Sequence, residues 1–188
     1  MSKRGWIILV SAVPVFALIA LLSWASVKSA SNPGGVAVNR EFGQVGVDPK
    51  SAHQFSVELL DGRTLALGDL RGKVVLLDFW ASWCPPCRQE AAVLAEVYRE
   101  YRGEAVEFLG INLWDRRQDA LDFVEQFAVP YPNAVDSEGT IAINYGVRGL
   151  PEKFVIDQAG VVVKRFVGPM PADTLRAILD EVLKGAAK

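Results

Sequence analysis

Two cysteines occur in the 188 residues, and they stand two positions apart in Trp83-Cys84-Pro85-Pro86-Cys87. A Cys-X-X-Cys pair lets two sulfurs meet in a small ring, the arrangement of a dithiol that cycles with its disulfide. The residues before it, Val74-Val75-Leu76-Leu77-Asp78-Phe79-Trp80, read as a buried strand, and a helical pattern follows from Arg88 to Tyr101. A thiol at the start of a helix lies over unpaired N–H groups and the positive end of the helix dipole. That setting stabilises the thiolate, the nucleophile of disulfide exchange. Cys84 is therefore expected to be the exposed attacking thiol, and Cys87, one turn into the helix, the buried resolving one. A purely structural disulfide is the weaker reading, because closing so short a loop gains little stability.

Two acids flank the pair. Asp78 interrupts an apolar strand six residues before Cys84. A carboxyl buried there has a raised pKa and can pass a proton to or from Cys87; the alternative is a turn toward solvent. Glu90, three places after Cys87, either modulates the thiols or favours the first helical turn electrostatically. Trp80 reads as core and Trp83 as an exposed rim. His53, the only histidine, reads as a solvated loop residue.

The surrounding elements follow from periodicity. Gln54 to Leu59 alternates as a strand, with a turn at Asp61-Gly62. Val74 to Phe79 is apolar enough for the middle of a sheet covered on both faces. Pro85 and Pro86 suit a first helical turn, and Ala91, Leu94, Ala95 and Tyr98 recur at helical spacing behind them. Val106 to Asn112 is a strand and Gln118 to Phe127 a helix ended by Pro130 and Pro132. A short strand near 133–135 and a short helix near 140–145 come next. The hairpin of Phe154–Ile156 and Val161–Val167 precedes a last helix from Pro171 to Leu183, with Leu175, Ile178, Leu179 and Val182 inward. This order predicts an α/β domain with a mixed central sheet flanked by helices.

The ends carry other signals. Trp6 to Val27 has no charge and is long enough to cross a bilayer, so residues 1–27 are expected to be a cytoplasmic tip and transmembrane anchor. A cleaved signal peptide would have a shorter apolar run and a small-residue cleavage site. Lys3 and Arg4 precede the span and Lys28 follows it, which favours a cytoplasmic N-terminus and a C-terminal domain outside the inner membrane. Residues 28–50, rich in Ser, Gly, Asn and Pro, read as a linker, and 51–188 as one domain. Beyond residue 28 there are seventeen bases against twenty-two acids, which gives no reason to expect nucleic-acid binding.

The segment Asp78 to Cys87 resembles the active-site segment of the thioredoxin fold. The closer likeness is to membrane-anchored, extracytoplasmic thioredoxins of cytochrome c biogenesis, the CcmG/DsbE group and their TlpA/ResA relatives. Leu70 to Leu77 resembles the lead-in to the active-site strand, and Cys87-Arg88-Gln89-Glu90 carries the family's acid. Val106 to Val135 resembles the inserted strand and helix, and Gly146 to Asp157 the loop that holds the cis-proline. Lys153 departs from the small Thr common after Pro-Glu, and Ala91-Ala92 replaces a frequent proline.

The resemblance implies a membrane-tethered protein disulfide reductase with no cofactor. Its substrates would be thiol or disulfide proteins, namely apocytochrome c or a haem-attachment partner, and a membrane electron donor would re-reduce it. It also implies that Trp83, Pro85, Pro86, Leu150, Pro151 and Glu152 face the partner. The alternatives are a general TlpA-like reductase for copper-site cysteines, or a copper chaperone. The latter would recruit a third soft ligand, for which only His53 or Met170 is offered. A peroxidase with a distant resolving thiol would need another cysteine.

Overall fold

The computed structural model describes residues 42–185, together with residues 13, 16–21, 23, 24, 37 and 38. The chain divides into two units, residues 1–35 and 36–188. In the first, residues 13, 16–21, 23 and 24 are helical. The expected membrane span lies largely outside the described residues; among those described, no helix is long and apolar enough to cross a membrane.

The second unit is a mixed sheet with helices on both faces, as the apolar pattern requires. Its strands run β1 (Ala37–Val38), β2 (Gly43–Val45), β3 (Lys50–Ser51), β4 (Ser56–Glu58), β5 (Thr64–Ala66), β6 (Val74–Trp80) and β7 (Val106–Leu113). β8 (Asn133–Asp136), β9 (Gly149–Leu150), β10 (Glu152–Ile156) and β11 (Val161–Val167) follow. The helices are α1 (Pro85–Glu100), α2 (Arg117–Gln126), α3 (Thr140–Tyr145) and α4 (Ala172–Gly185). The main sheet has the order β2-β11-β10-β6-β7-β8, with β3 also pairing β11. β6, β7 and β8 are parallel, and β10 joins β6 antiparallel.

Strand β6 is buried along its whole length, and its two faces alternate. Val74 and Leu76 pack with Leu94 and Val97 of α1 and with Leu175, Ile178 and Leu179 of α4. Val75, Leu77 and Phe79 pack on the other side, where Phe79 meets Phe154 and Tyr145. Asp78 shares the parity of Val74 and Leu76, so it faces α1.

The linker reading of residues 28–50 needs correction at its end. Gly43–Val45 and Lys50–Ser51 pair with β11, so sheet structure begins ahead of residue 51. These strands are held by backbone pairing and stay mostly exposed, which is why they lack an apolar period. Strand β4 is also shorter than the alternation from Gln54 to Leu59 predicts, and it pairs with β5 as a separate hairpin.

Candidate active site

The site forms where β6 ends and α1 begins. Cys84 is the N-cap of α1, with Pro85 and Pro86 in the first turn, and its Sγ accepts the Cys87 N–H at 3.3 Å. Prolines there forgo only N–H groups that the helix leaves unpaired. Cys84 and Cys87 are joined as a disulfide with Cα atoms 5.3 Å apart.

The loop before Cys84 is fixed from the neighbouring strand. Asp115 Oδ2 accepts the Ser82 N–H at 2.7 Å and the Asn112 side-chain amide at 2.6 Å. Trp114, just before it, holds a left-handed backbone at φ 59, a conformation that costs energy for a non-glycine residue. Arg88 donates to the Ser82 carbonyl and to Gln126 Oε1, with its guanidinium over Phe127. Sequence reasoning missed Asp115 and Arg88, because neither breaks a local pattern.

Exposure of Cys84 is the first expectation to be corrected. In the disulfide form Cys84 is 0% exposed and Cys87 2%. The Cys84 sulfur is engaged by the bond to Cys87 and by the Cys87 N–H. Trp83 and Pro85 beside it are exposed. Leu150 belongs to the same buried cluster as both cysteines. The Leu150–Pro151 bond is cis. The loop backbone expected to face a partner pairs here with the chain's own β1, Ala37 opposite Gly149 and Val38 opposite Leu150.

Glu152 is the second correction. It is 0% exposed, pairs with Arg165 Nε at 2.5 Å and accepts the Arg148 N–H at 3.2 Å. A carboxylate already satisfied in this way has nothing to offer an incoming protein.

Behind the disulfide lies a group of buried charges. Asp78 of β6 and Lys153 of β10 are directly opposite in the antiparallel pair, so their side chains share a face. Lys153 is 0% exposed. Its Nζ donates to Glu90 Oε1 and, at 3.1 Å, to the Gly168 carbonyl. Glu90 is buried and also accepts the Met170 N–H at 2.9 Å. Glu90 also lies beyond the first turn of α1, so the reading in which it favours that turn electrostatically falls away. Asp78 Oδ1 lies 3.7 Å from Lys153 Nζ, too far for a hydrogen bond, and has no other partner.

Burial pushes both acids up, against the pull of Lys153: Asp78 upward, and Glu90 to about 7 with Asp78's charge adding to the rise. Neighbouring acids of this kind titrate as one system. Asp78, Glu90 and Cys87 line one small chamber of about 10 Å³, the size of a single water, with Trp80, Tyr131 and Asn133 among its walls. Trp80 Nε1 donates to Asn133 Oδ1 at 3.0 Å, and its ring stacks on Phe123. Gly110 makes room for that bond, since a Cβ there would collide with the Asn133 side chain. Lys153 had a sequence signal: a cation in an apolar strand, as Asp78 is an anion in the adjoining one. Among the described residues, no group of three or more His, Cys, Asp or Glu is placed to hold a metal ion.

A disulfide at a helix start, with a protonatable carboxyl behind the deeper sulfur, is equipped for thiol–disulfide exchange. Known proteins agree. The AhpC/TSA family model matches residues 49–165. Thiol-disulfide oxidoreductase ResA of Bacillus thuringiensis (strain Al Hakam) is 34% identical over 148 residues, covering 79% of this chain and 84% of the relative. A thiol:disulfide interchange protein of the thioredoxin family from Chlorobium tepidum superposes with a TM-score of 0.67 at 27% identity, over 74% of this chain and 99% of that one. A secreted Mycobacterium tuberculosis disulfide oxidoreductase homologous to E. coli DsbE gives 0.62 at 29%, over 68% and 96%. This chain belongs to the AhpC/TSA family of thioredoxin-like proteins and is a thiol–disulfide oxidoreductase of the ResA/DsbE type.

Proposed function

We infer that the chain is a reductant tethered to the inner membrane, with its catalytic domain outside the cytoplasm, serving cytochrome c maturation. The observation that carries the reading is the buried acid pair behind Cys87, which can hold the proton that a reducing cycle must move. The uncharged stretch from Trp6 to Val27 supports the tether. The substrate would be the disulfide of apocytochrome c or of a haem-attachment partner.

In the reaction, the Cys84 thiolate attacks one sulfur of the partner's disulfide, and the other leaves as a thiolate. Cys87 then passes its proton to the Asp78 carboxylate, and its sulfur attacks Cys84 Sγ. The partner's second sulfur departs as a thiolate. Two electrons have moved to the partner, and the protein is left as the disulfide seen here with the proton on Asp78. A membrane thiol donor reverses these steps.

The test is capture. Cys87→Ser in the native cell is expected to accumulate mixed disulfides with apocytochrome c or a haem-attachment protein. Capture of a copper-site assembly protein instead would favour a general TlpA-like role.

A further inference from the structure

We propose that Lys153 is a positioning residue that decides which of two buried acids keeps the proton: engaged with Glu90, it holds Glu90 as the carboxylate and leaves the proton on Asp78. The inference rests on Asp78 being the proton carrier for Cys87. Three observations support it.

The contacts are unequal. Lys153 Nζ donates to Glu90 but stands 3.7 Å from Asp78 Oδ1. Glu90 receives a second donor, the Met170 N–H, whereas Asp78 Oδ1 receives none. Donors favour the charged form of the acid that they reach.

The charges are also unequal. Lys153 meets Asp78 from β6, Glu90 from α1 and the Gly168 carbonyl after β11. Tyr131 faces the same chamber, with its hydroxyl pushed well above its ordinary range by burial and then by Asp78 and Glu90, so it adds no charge. One ammonium against two carboxyls, all at most 4% exposed, leaves one acid to be held neutral.

The register closes the argument. Lys153 lies directly across from Asp78, yet its long stem carries the ammonium to Glu90 on the helix above. Substitution at either end of the ion pair should therefore move Asp78 in opposite directions. Without Glu90, the ammonium turns to Asp78 and favours its carboxylate. Without Lys153, Asp78 loses the only cation that it faces among the described residues.

The test titrates the oxidised full chain by carboxyl carbon NMR. In the wild type, Glu90 is expected to ionise before Asp78. Glu90→Gln is expected to move the Asp78 titration down, and Lys153→Met to move it up, each by about one pH unit or more. The double variant Lys153→Met/Glu90→Gln keeps the shapes without the ion pair, so it guards against misfolding of Lys153→Met; Asp78 should then titrate between the two single variants. Shifts of the same sign, no shift, or Asp78 ionising first would overturn the proposal. The pH profile of the resolving step should follow the same opposite shifts, which a merely structural role would not produce. If the titrations behave as expected while Asp78→Asn keeps the wild-type profile, the division of charge stands and Asp78 is not the proton carrier.

Discussion

Helix α1 carries two ion-pair networks, and they behave oppositely. At its N-terminal end Glu90 meets Lys153 with both side chains at most 3% exposed. At its C-terminal end Glu96 and Glu100 meet Arg176 of α4 at 2.8 and 2.7 Å, with side chains 32–62% exposed. Each Glu has a cation at hydrogen-bond distance. Yet the Arg176 hydrogen bond holds Glu100 below its usual range, whereas burial drives Glu90 above it. Solvent decides the sign. In water the cation is the largest influence on the acid; under the sheet the loss of hydration outweighs the cation. The outer network joins two helices, and the inner one is left with a proton that can move.

The largest expected effect comes from removing the sulfur that the inner network serves. Cys84→Ser should abolish insulin reduction while the domain still folds, since the change loses one atom's chemistry and little volume. Turnover retained by this variant would assign the nucleophile elsewhere and detach the inner network from catalysis.

Next in size is Asp78→Asn, which keeps the shape and removes the proton site. The attack of Cys87 on the mixed disulfide should slow on the order of 100-fold, with the first attack by Cys84 less affected. Stability should stay level or rise, because a buried carboxyl no longer has to be accommodated. Stopped-flow exchange across pH separates the two steps. An unchanged resolving rate would make Glu90 the better proton carrier.

How far these roles could be read from sequence differs between the two networks. Asp78 and Glu90 were legible, one by interrupting an apolar strand and the other by its place after Cys87. The cysteine pair, strand β6 and the inward face of α4 were legible for the same reason: local pattern carries them. Lys153 was visible only as a departure, because its meaning depends on the β6–β10 register, a pairing between residues 75 positions apart. Glu152 misled through the same gap, since its partner Arg165 comes from the next strand. The burial of Cys84 could not be read at all, because it follows from tertiary cover by residues distant in sequence, Leu150 among them. Arg176 announced nothing, as surface pairs between helices leave no periodic trace.

The inner network should also mark the stability curve. Below about pH 3.8, the ordinary Asp value, both acids are largely protonated in either state. As pH rises, the unfolded chain releases those protons while the folded one keeps them up to about 7 for Glu90 and above its ordinary value for Asp78. The folded state then binds more protons, so stability falls with rising pH across this window. For Glu90 alone the loss is on the order of 3 kcal/mol. Urea unfolding as a function of pH measures it, and Glu90→Gln should flatten the slope. A stability that rises through the window would mean that burial does not raise these two acids.

The smallest effect belongs to the outer network. Arg176→Ala removes contacts to Glu96, Glu100 and Asp173 at once, three carboxylates that remain free to hydrate. Exposed pairs gain little because water already solvates each charge and because ordering a long side chain costs entropy. The urea midpoint should therefore move slightly, and the exchange rate and its pH profile not at all. Salt separates the two networks further. Added ions screen the exposed charges and should erase the small Arg176→Ala difference, whereas the buried Glu90 and Lys153 lie beyond their reach, so the Glu90→Gln effect should survive. Loss of activity in Arg176→Ala, or a Glu90→Gln effect that vanishes in salt, would break the division between the two ends of α1.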